Sequence, residues 1–137
     1  MADQWYTQAK THFANGEIDW VADNIKAVAV DAADYILAIT THDALDDIPA
    51  VARVATSANL TSASVVDGVL DAADTVFTAA TGDQFEYVIV YKDSGIEATS
   101  YLIMCYDQDG GGAMSVTPNG TNIDVTWSSG ANKMGAL

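Results

Sequence analysis

The chain has 137 residues, half of them hydrophobic, and no more than five lysines and arginines against nineteen aspartates and glutamates, for a net charge of −14. That is too apolar for a disordered chain and long enough for a single domain with its own core. It is too acidic to hold a phosphate backbone, because nucleic-acid affinity comes mainly from cationic side chains displacing counterions, and anionic membranes repel it for the same reason.

Trp5, Ala9 and Phe13 recur at helical spacing, with Tyr6 beside the stripe. The spacing predicts a short N-terminal helix, with Asp3 as N-cap and Asn15-Gly16 as its stop. So short a helix has to dock, either on its own domain or on another subunit. We expect an arm over residues 1–15 whose aromatics Trp5, Tyr6 and Phe13, together with Trp20, meet a partner. No basic, apolar leader opens the chain, so synthesis and folding in a cytoplasm are expected. No apolar run reaches the ~18 residues of a membrane span.

Beyond Trp20, Ile25-Lys-Ala-Val-Ala-Val30 reads as a buried strand closed by Asp31. The polar connection from Thr40 to Pro49 has room for one helical turn, and Pro49 marks a break. Short strands are expected around Arg53, Ser64 and Thr75, with Asp67-Gly68 as a tight turn between Val66 and Val69. The most apolar strands are Tyr87–Tyr91 and Tyr101–Tyr106, each apolar on both faces. The connection between them is longer than a tight hairpin, so they pair directly or lie in different sheets. Asn119-Gly120 predicts a last hairpin between strands at Met114 and Ile123. Cys105, the single cysteine, falls in an apolar run and reads as a buried thiol. Many short strands separated by turn signals predict a mainly β fold, an antiparallel sandwich or open barrel with a short N-terminal helix. A β-domain over 16–127 and a C-terminal tail over 128–137 complete the single domain.

Candidate chemistry is sparse. His42 and Asp43 lie near Asp46 and Asp47, but no nucleophile elbow, phosphate loop or zinc-binding helix accompanies them, and His12 is remote in sequence. The expectation is no catalysis and no cofactor. Asp107-Gln-Asp-Gly opens like a calcium loop, yet the twelfth position, where such a loop needs glutamate, is Pro118; a glycine-rich surface loop is the better reading. Val30-Asp-Ala-Ala-Asp34 echoes Leu70-Asp-Ala-Ala-Asp74, which recurrent aspartate turns would explain.

Five segments stand out together: Asn15-Gly-Glu-Ile-Asp19, Asp23-Asn-Ile-Lys-Ala-Val-Ala-Val-Asp31, His42-Asp-Ala-Leu-Asp-Asp-Ile-Pro49, Asp71-Ala-Ala-Asp-Thr-Val-Phe77 and Val90-Tyr-Lys-Asp-Ser-Gly-Ile-Glu-Ala-Thr-Ser100. In these the chain resembles one family of small tailed-phage virion proteins, found among head decoration (cement) and related structural proteins. The similarity runs from Phe13 to Trp127; the ending from Gly130 to Leu137 departs from the family's usual one. The resemblance implies a non-enzymatic protein on the capsid exterior that binds the major capsid protein, commonly as a homotrimer, and stabilises the shell. Apolar strands would then be covered by a second sheet on one face and by the N-terminal helix or a sister subunit on the other. Two other expectations stand beside it. One is a tail or neck component of the virion. The other is a surface carbohydrate-binding module, if Tyr6, Trp20, Tyr35 or Trp127 were free to stack on sugar rings.

Overall fold

The computed structural model describes residues 4–109 and 112–137. In chain order these form β1 (Gln4–Trp5), α1 (Thr7–Ala14), β2 (Ile25–Val30), β3 (Arg53–Thr56), β4 (Ser64–Val66), β5 (Val69–Asp71), β6 (Thr75–Phe77), β7 (Tyr87–Lys92), β8 (Leu102–Tyr106), β9 (Gln108–Asp109), β10 (Gly112–Ala113), β11 (Ile123–Val125) and β12 (Gly135–Ala136). Single 3-10 turns occur at Leu45–Asp47, Ala50–Ala52 and Glu97–Thr99. The protein is mainly β, its sheets are antiparallel, and its one α-helix is short and near the N-terminus.

The core is a five-stranded sheet in the order β1-β8-β7-β2-β3. β7 and β8 pair directly, Val88 opposite Tyr106 and Ile89 opposite Cys105, which settles the question left by their long connection. A bulge at Val90/Tyr91 lets β8 carry one extra residue there, so Ile103 and Met104 both join the same core. A second irregularity, at Ala29/Val30, bends the pairing of β2 with β3.

Both faces of the sheet are covered by the chain itself. On one face Ala27, Ala29, Val88, Val90 and Met104 pack with Leu70, Phe77, Trp127 and Met134. Leu70 and Phe77 belong to β5 and β6 in a second layer of small sheets, β12-β5-β4 and β11-β6, while Trp127 follows β11 and Met134 precedes β12. On the other face Val28, Val30, Ile89, Leu102 and Cys105 pack with Tyr6 and Ala9 at the helix, and with Tyr35, Ile48 and Ala52. The covering layer is thus α1 plus segment 31–52. Strands buried on both sides lose the in–out alternation of a half-wet sheet, and that is why β7 and β8 read as continuous apolar runs. The central strands β2, β7 and β8 are thus buried almost entirely by the chain itself.

Three local expectations need correction. Asp3 lies outside the described residues, and the helix is capped by the extended backbone of Tyr6. Trp5 is not on the helix; it pairs with Met104 as part of β1. Asn119-Gly120 does not close a hairpin: β11 pairs with β6, and Val116 bridges Phe85. By contrast, Asp67 and Gly68 both have positive φ, 52° and 77°, the backbone of a two-residue hairpin turn, and β4 and β5 pair across it.

The expected C-terminal tail is no tail either. β12 pairs with β5, and Tyr106 donates its hydroxyl proton to the Met134 carbonyl at 2.6 Å. The two Asp-Ala-Ala-Asp copies also diverge. In the first, Asp31 accepts the Ala33 amide as a local turn. In the second, the Asp71 and Ala73 carbonyls accept the indole N–H groups of Trp20 and Trp127, and the Asp74 carboxylate accepts the Trp127 amide. One copy is a turn; the other is a socket for two tryptophans.

Candidate interaction surface

The four aromatics expected at a partner interface separate into two pairs. Tyr6 is 0% exposed and Trp20 3%, both inside the chain's own core. The Tyr6 hydroxyl meets that of Tyr35 at 3.0 Å, and Tyr35 in turn meets Nδ1 of His42 at 2.8 Å. Burial pushes the Tyr6 phenol far above its ordinary range and that of Tyr35 up to about 12, so both serve as neutral hydrogen-bonding groups. Tyr6 and Trp20 are therefore core residues and not the partner contacts expected of them, because reaching them would require opening the core. Trp5 and Phe13 are half-buried and meet edge to face, ring centroids 6.1 Å apart. They alone of the four keep some surface for a partner.

The chemistry-bearing groups are drawn together by the fold but tied into it. His12 on α1 stacks on the ring of Tyr101, centroids 3.6 Å apart, and places Nε2 2.6 Å from the Asp43 carboxylate. Its Nδ1 lies 3.3 Å from Glu17, whose carboxylate also accepts the Tyr101 hydroxyl. Asp47 accepts the backbone amides of Asp43 and Ala44, which shapes the turn at Leu45–Asp47. A histidine between carboxylates has the elements of a general base. Here both ring nitrogens face carboxylates and one ring face is stacked on Tyr101, an arrangement that fastens the helix to loop 40–47. Thirty-one positions separate His12 from Asp43, and no sequence signal announced their meeting. The same is true of Arg53, the only arginine: its guanidinium holds the Leu45 and Ile48 carbonyls and the Glu97 carboxylate.

Several carboxylates are held in their charged form. The Lys26 ammonium, 2.8 Å away, and the Gly95 amide lower the pKa of Asp93. Burial alone would raise Asp47, but the amides of Asp43 and Ala44 outweigh it and hold that group low as well. The Arg53 guanidinium does the same for Glu97. A folded-state pKa below the unfolded one contributes stability that is complete above the ordinary aspartate range, ~4, and is lost as pH falls through the lowered value. Urea midpoints are accordingly expected to fall as the protein is acidified below that range. Asp93→Asn should be less stable near neutrality and show a shallower acid slope. A midpoint that stays flat through the acid range would contradict this.

Asp31, Asp34 and Asp83 bring carboxylate oxygens within 4.8 Å of one another. Asp34 and Asp83 are exposed, and Asp31 is already bonded to Ala33, so the cluster is an acidic surface in an acidic chain. In the Asp107 loop, the expected glycine run includes Gly110 and Gly111, which lie outside the described residues. Met114 donates to the Asp107 carbonyl across the β9–β10 hairpin. An open cleft of about 530 Å³ of mixed lining, including Asn59, Thr61, Asp74, Val76, Asp124 and Thr126, has no aromatic ring in its wall. Tyr6, Trp20, Tyr35 and Trp127 are all buried, so the stacking faces a carbohydrate-binding reading relied on are not on the surface.

Apolar side chains do remain outside. Ile36, Val51, Val66, Ile96 and Val21 are the most exposed of them. Val65 and Val66 belong to β4, an edge strand whose three residues are all exposed. Among the described residues no helix is long and apolar enough to cross a membrane. The sequence matches no protein-family profile and no curated protein.

Proposed function

We propose that this chain is a structural protein of a tailed-phage particle, a decoration protein that binds the outside of the head and bridges neighbouring major capsid protein subunits. The observation that carries the reading beyond the sequence resemblance is the β4 edge. Among the described residues it is a strand edge with no further strand beside it, bearing exposed Val65 and Val66, on a chain whose histidines are bonded into the fold. An open edge with apolar side chains is the kind of surface that adds a strand or docks on a partner. Buried area gained across shell junctions raises the free energy of separating them, which is how a non-catalytic module stiffens a pressurised shell.

The −14 charge fits the exterior, where it keeps the protein soluble and away from the packaged genome. Since both faces of the main sheet are covered by the chain itself, a trimer would be assembled by the symmetry of the shell rather than by the sheet. The partners are the major capsid protein and neighbouring copies on the lattice.

Co-sedimentation with purified phage heads tests this. Wild-type protein should pellet saturably with the heads. Val66→Lys should weaken binding about tenfold or more, the equivalent of losing one buried valine of ~1.5 kcal/mol or above, while leaving the fold intact. Absence of binding, or a Val66→Lys variant that binds undiminished, would contradict the proposal. A tail or neck component is separated by copy number, since a ring contributes few copies per particle and a head lattice many.

A further inference from the structure

Two asparagines precede glycine, Asn15 and Asn119, and both are exposed. Asn–Gly is the sequence most open to spontaneous deamidation, because glycine has no Cβ to hinder approach of its amide nitrogen to the asparagine side chain. The other four asparagines precede Ile, Leu, Ile and Lys, which obstruct that approach. In both Asn–Gly pairs the glycine has positive φ, 74° at Gly16 and 86° at Gly120. In both, the glycine amide donates to a backbone carbonyl, Gly16 to Phe13 and Gly120 to Ala80. Both would-be nucleophiles are therefore engaged, Gly120 at 2.7 Å and Gly16 at 3.1 Å, so any lead of Asn119 has to come from the side chains.

Asn119 accepts on its amide oxygen from two donors of the same residue, the Thr121 hydroxyl at 2.6 Å and the Thr121 backbone amide at 3.2 Å. Donors on that oxygen draw electron density from Cγ and stabilise the negative charge that develops on the oxygen during attack, as an oxyanion site does. Asn15 is arranged differently: its side chain lies by the Glu17 carboxylate, whose pKa it helps to lower, and among the described residues no donor is bonded to its amide oxygen. Only the amide N–H groups of Asn15 can donate to an anion, and this leaves its carbonyl carbon more electron-rich.

We propose that Asn119 is a spontaneous modification site, deamidating faster than Asn15 because Thr121 activates its side-chain carbonyl. The Gly120 amide nitrogen gives up its proton to solvent base and bonds to Cγ of Asn119. The Cγ–Nδ2 bond breaks, and ammonia leaves carrying a proton from water. Water then opens the cyclic imide at either carbonyl, giving aspartate or isoaspartate. Water enters, ammonia departs, and no oxidant or reductant is involved. The product adds one negative charge; the isoaspartate form also lengthens the main chain beside the paired bonds Gly120 to Ala80 and Ala80 to Thr121 that anchor this turn.

The test is to age the full chain in mildly alkaline buffer and follow both sites by peptide mass spectrometry. Asn119 should convert roughly three- to tenfold faster than Asn15, the rate equivalent of one hydrogen bond. Thr121→Val should remove most of that lead, Thr121→Ser should keep it, and unfolding the chain in denaturant should bring the two sites to similar rates. Equal or faster conversion at Asn15 in the folded protein, or a lead that survives Thr121→Val, would overturn the proposal.

Discussion

Truncating the chain at Gly16 is expected to abolish stable folding rather than release a detachable arm. The first turn of chain is stitched into the main sheet: β1 lies along β8, the Tyr6 amide donates to Ile103 at 3.0 Å, and the Thr7 amide donates to Ile39 at 3.0 Å. Tyr6 and Ala9, both fully buried, supply the cover over Leu102 and Cys105. Removing one large buried aromatic costs about 3–5 kcal/mol, and a domain of this size has about 5–15 kcal/mol in all. The truncation also exposes the β8 edge and deletes His12, which ties the helix to Asp43. Tyr6→Ala alone should lower the urea midpoint sharply, and the truncated chain should show no cooperative transition. A truncated protein that unfolds cooperatively at the wild-type midpoint would show that the N-terminal segment is an appendage.

The opposite end should prove as sensitive at one position and indifferent at another. Met134 is 2% exposed, its amide donates to Leu70, and its carbonyl accepts the Tyr106 hydroxyl. Next to it, a Cβ on Gly135 would overlap the sulfur of Met104 and the indole of Trp5. The last residues thus close the first core between the two layers. Met134→Ala is expected to cost about 2–5 kcal/mol. Leu137→Ala, at a side chain 57% exposed, should fall within about 0.5 kcal/mol of wild type. Denaturant unfolding of the two variants side by side checks this; equal, small effects would mean that the C-terminus is the loose tail its composition suggested.

Both results bear on what was legible in the sequence. Strands buried on both faces announce themselves as apolar runs, so β2, β7 and β8 could be read almost residue for residue. Asp67-Gly68 could be read too, because a two-residue turn is decided by the backbone freedom of its own residues. Asn119-Gly120 carries a similar signal with a different result. Gly120 does adopt positive φ, but its amide and the Thr121 carbonyl bond to Ala80, so the turn serves a pairing with β6 rather than one between its neighbours. Trp5, Ala9 and Phe13 fit helical spacing even though Trp5 is in a strand, since three positions cannot reveal a break at Tyr6. The cover on the second face of the sheet, segment 31–52, is held by Arg53 to carbonyls, by Tyr35 to Tyr6, and by Asp43 to His12. Such contacts join residues whose side chains carry no periodic signal, and only the fold brings them together. The candidate interface is the least legible part: two of its four aromatics belong to the core, and a run as short as Ser64–Val66 carries no sign that its valines face outward.

A three-dimensional reconstruction of tailed-phage particles assembled in the presence of this chain is the decisive measurement for the proposed decoration role. Density for the β-domain is expected on the outer surface of the head, at junctions between major capsid protein subunits, with the Ser64–Val66 edge turned toward the shell. Finding the chain in a tail or neck ring, or finding particles without it, would contradict that reading.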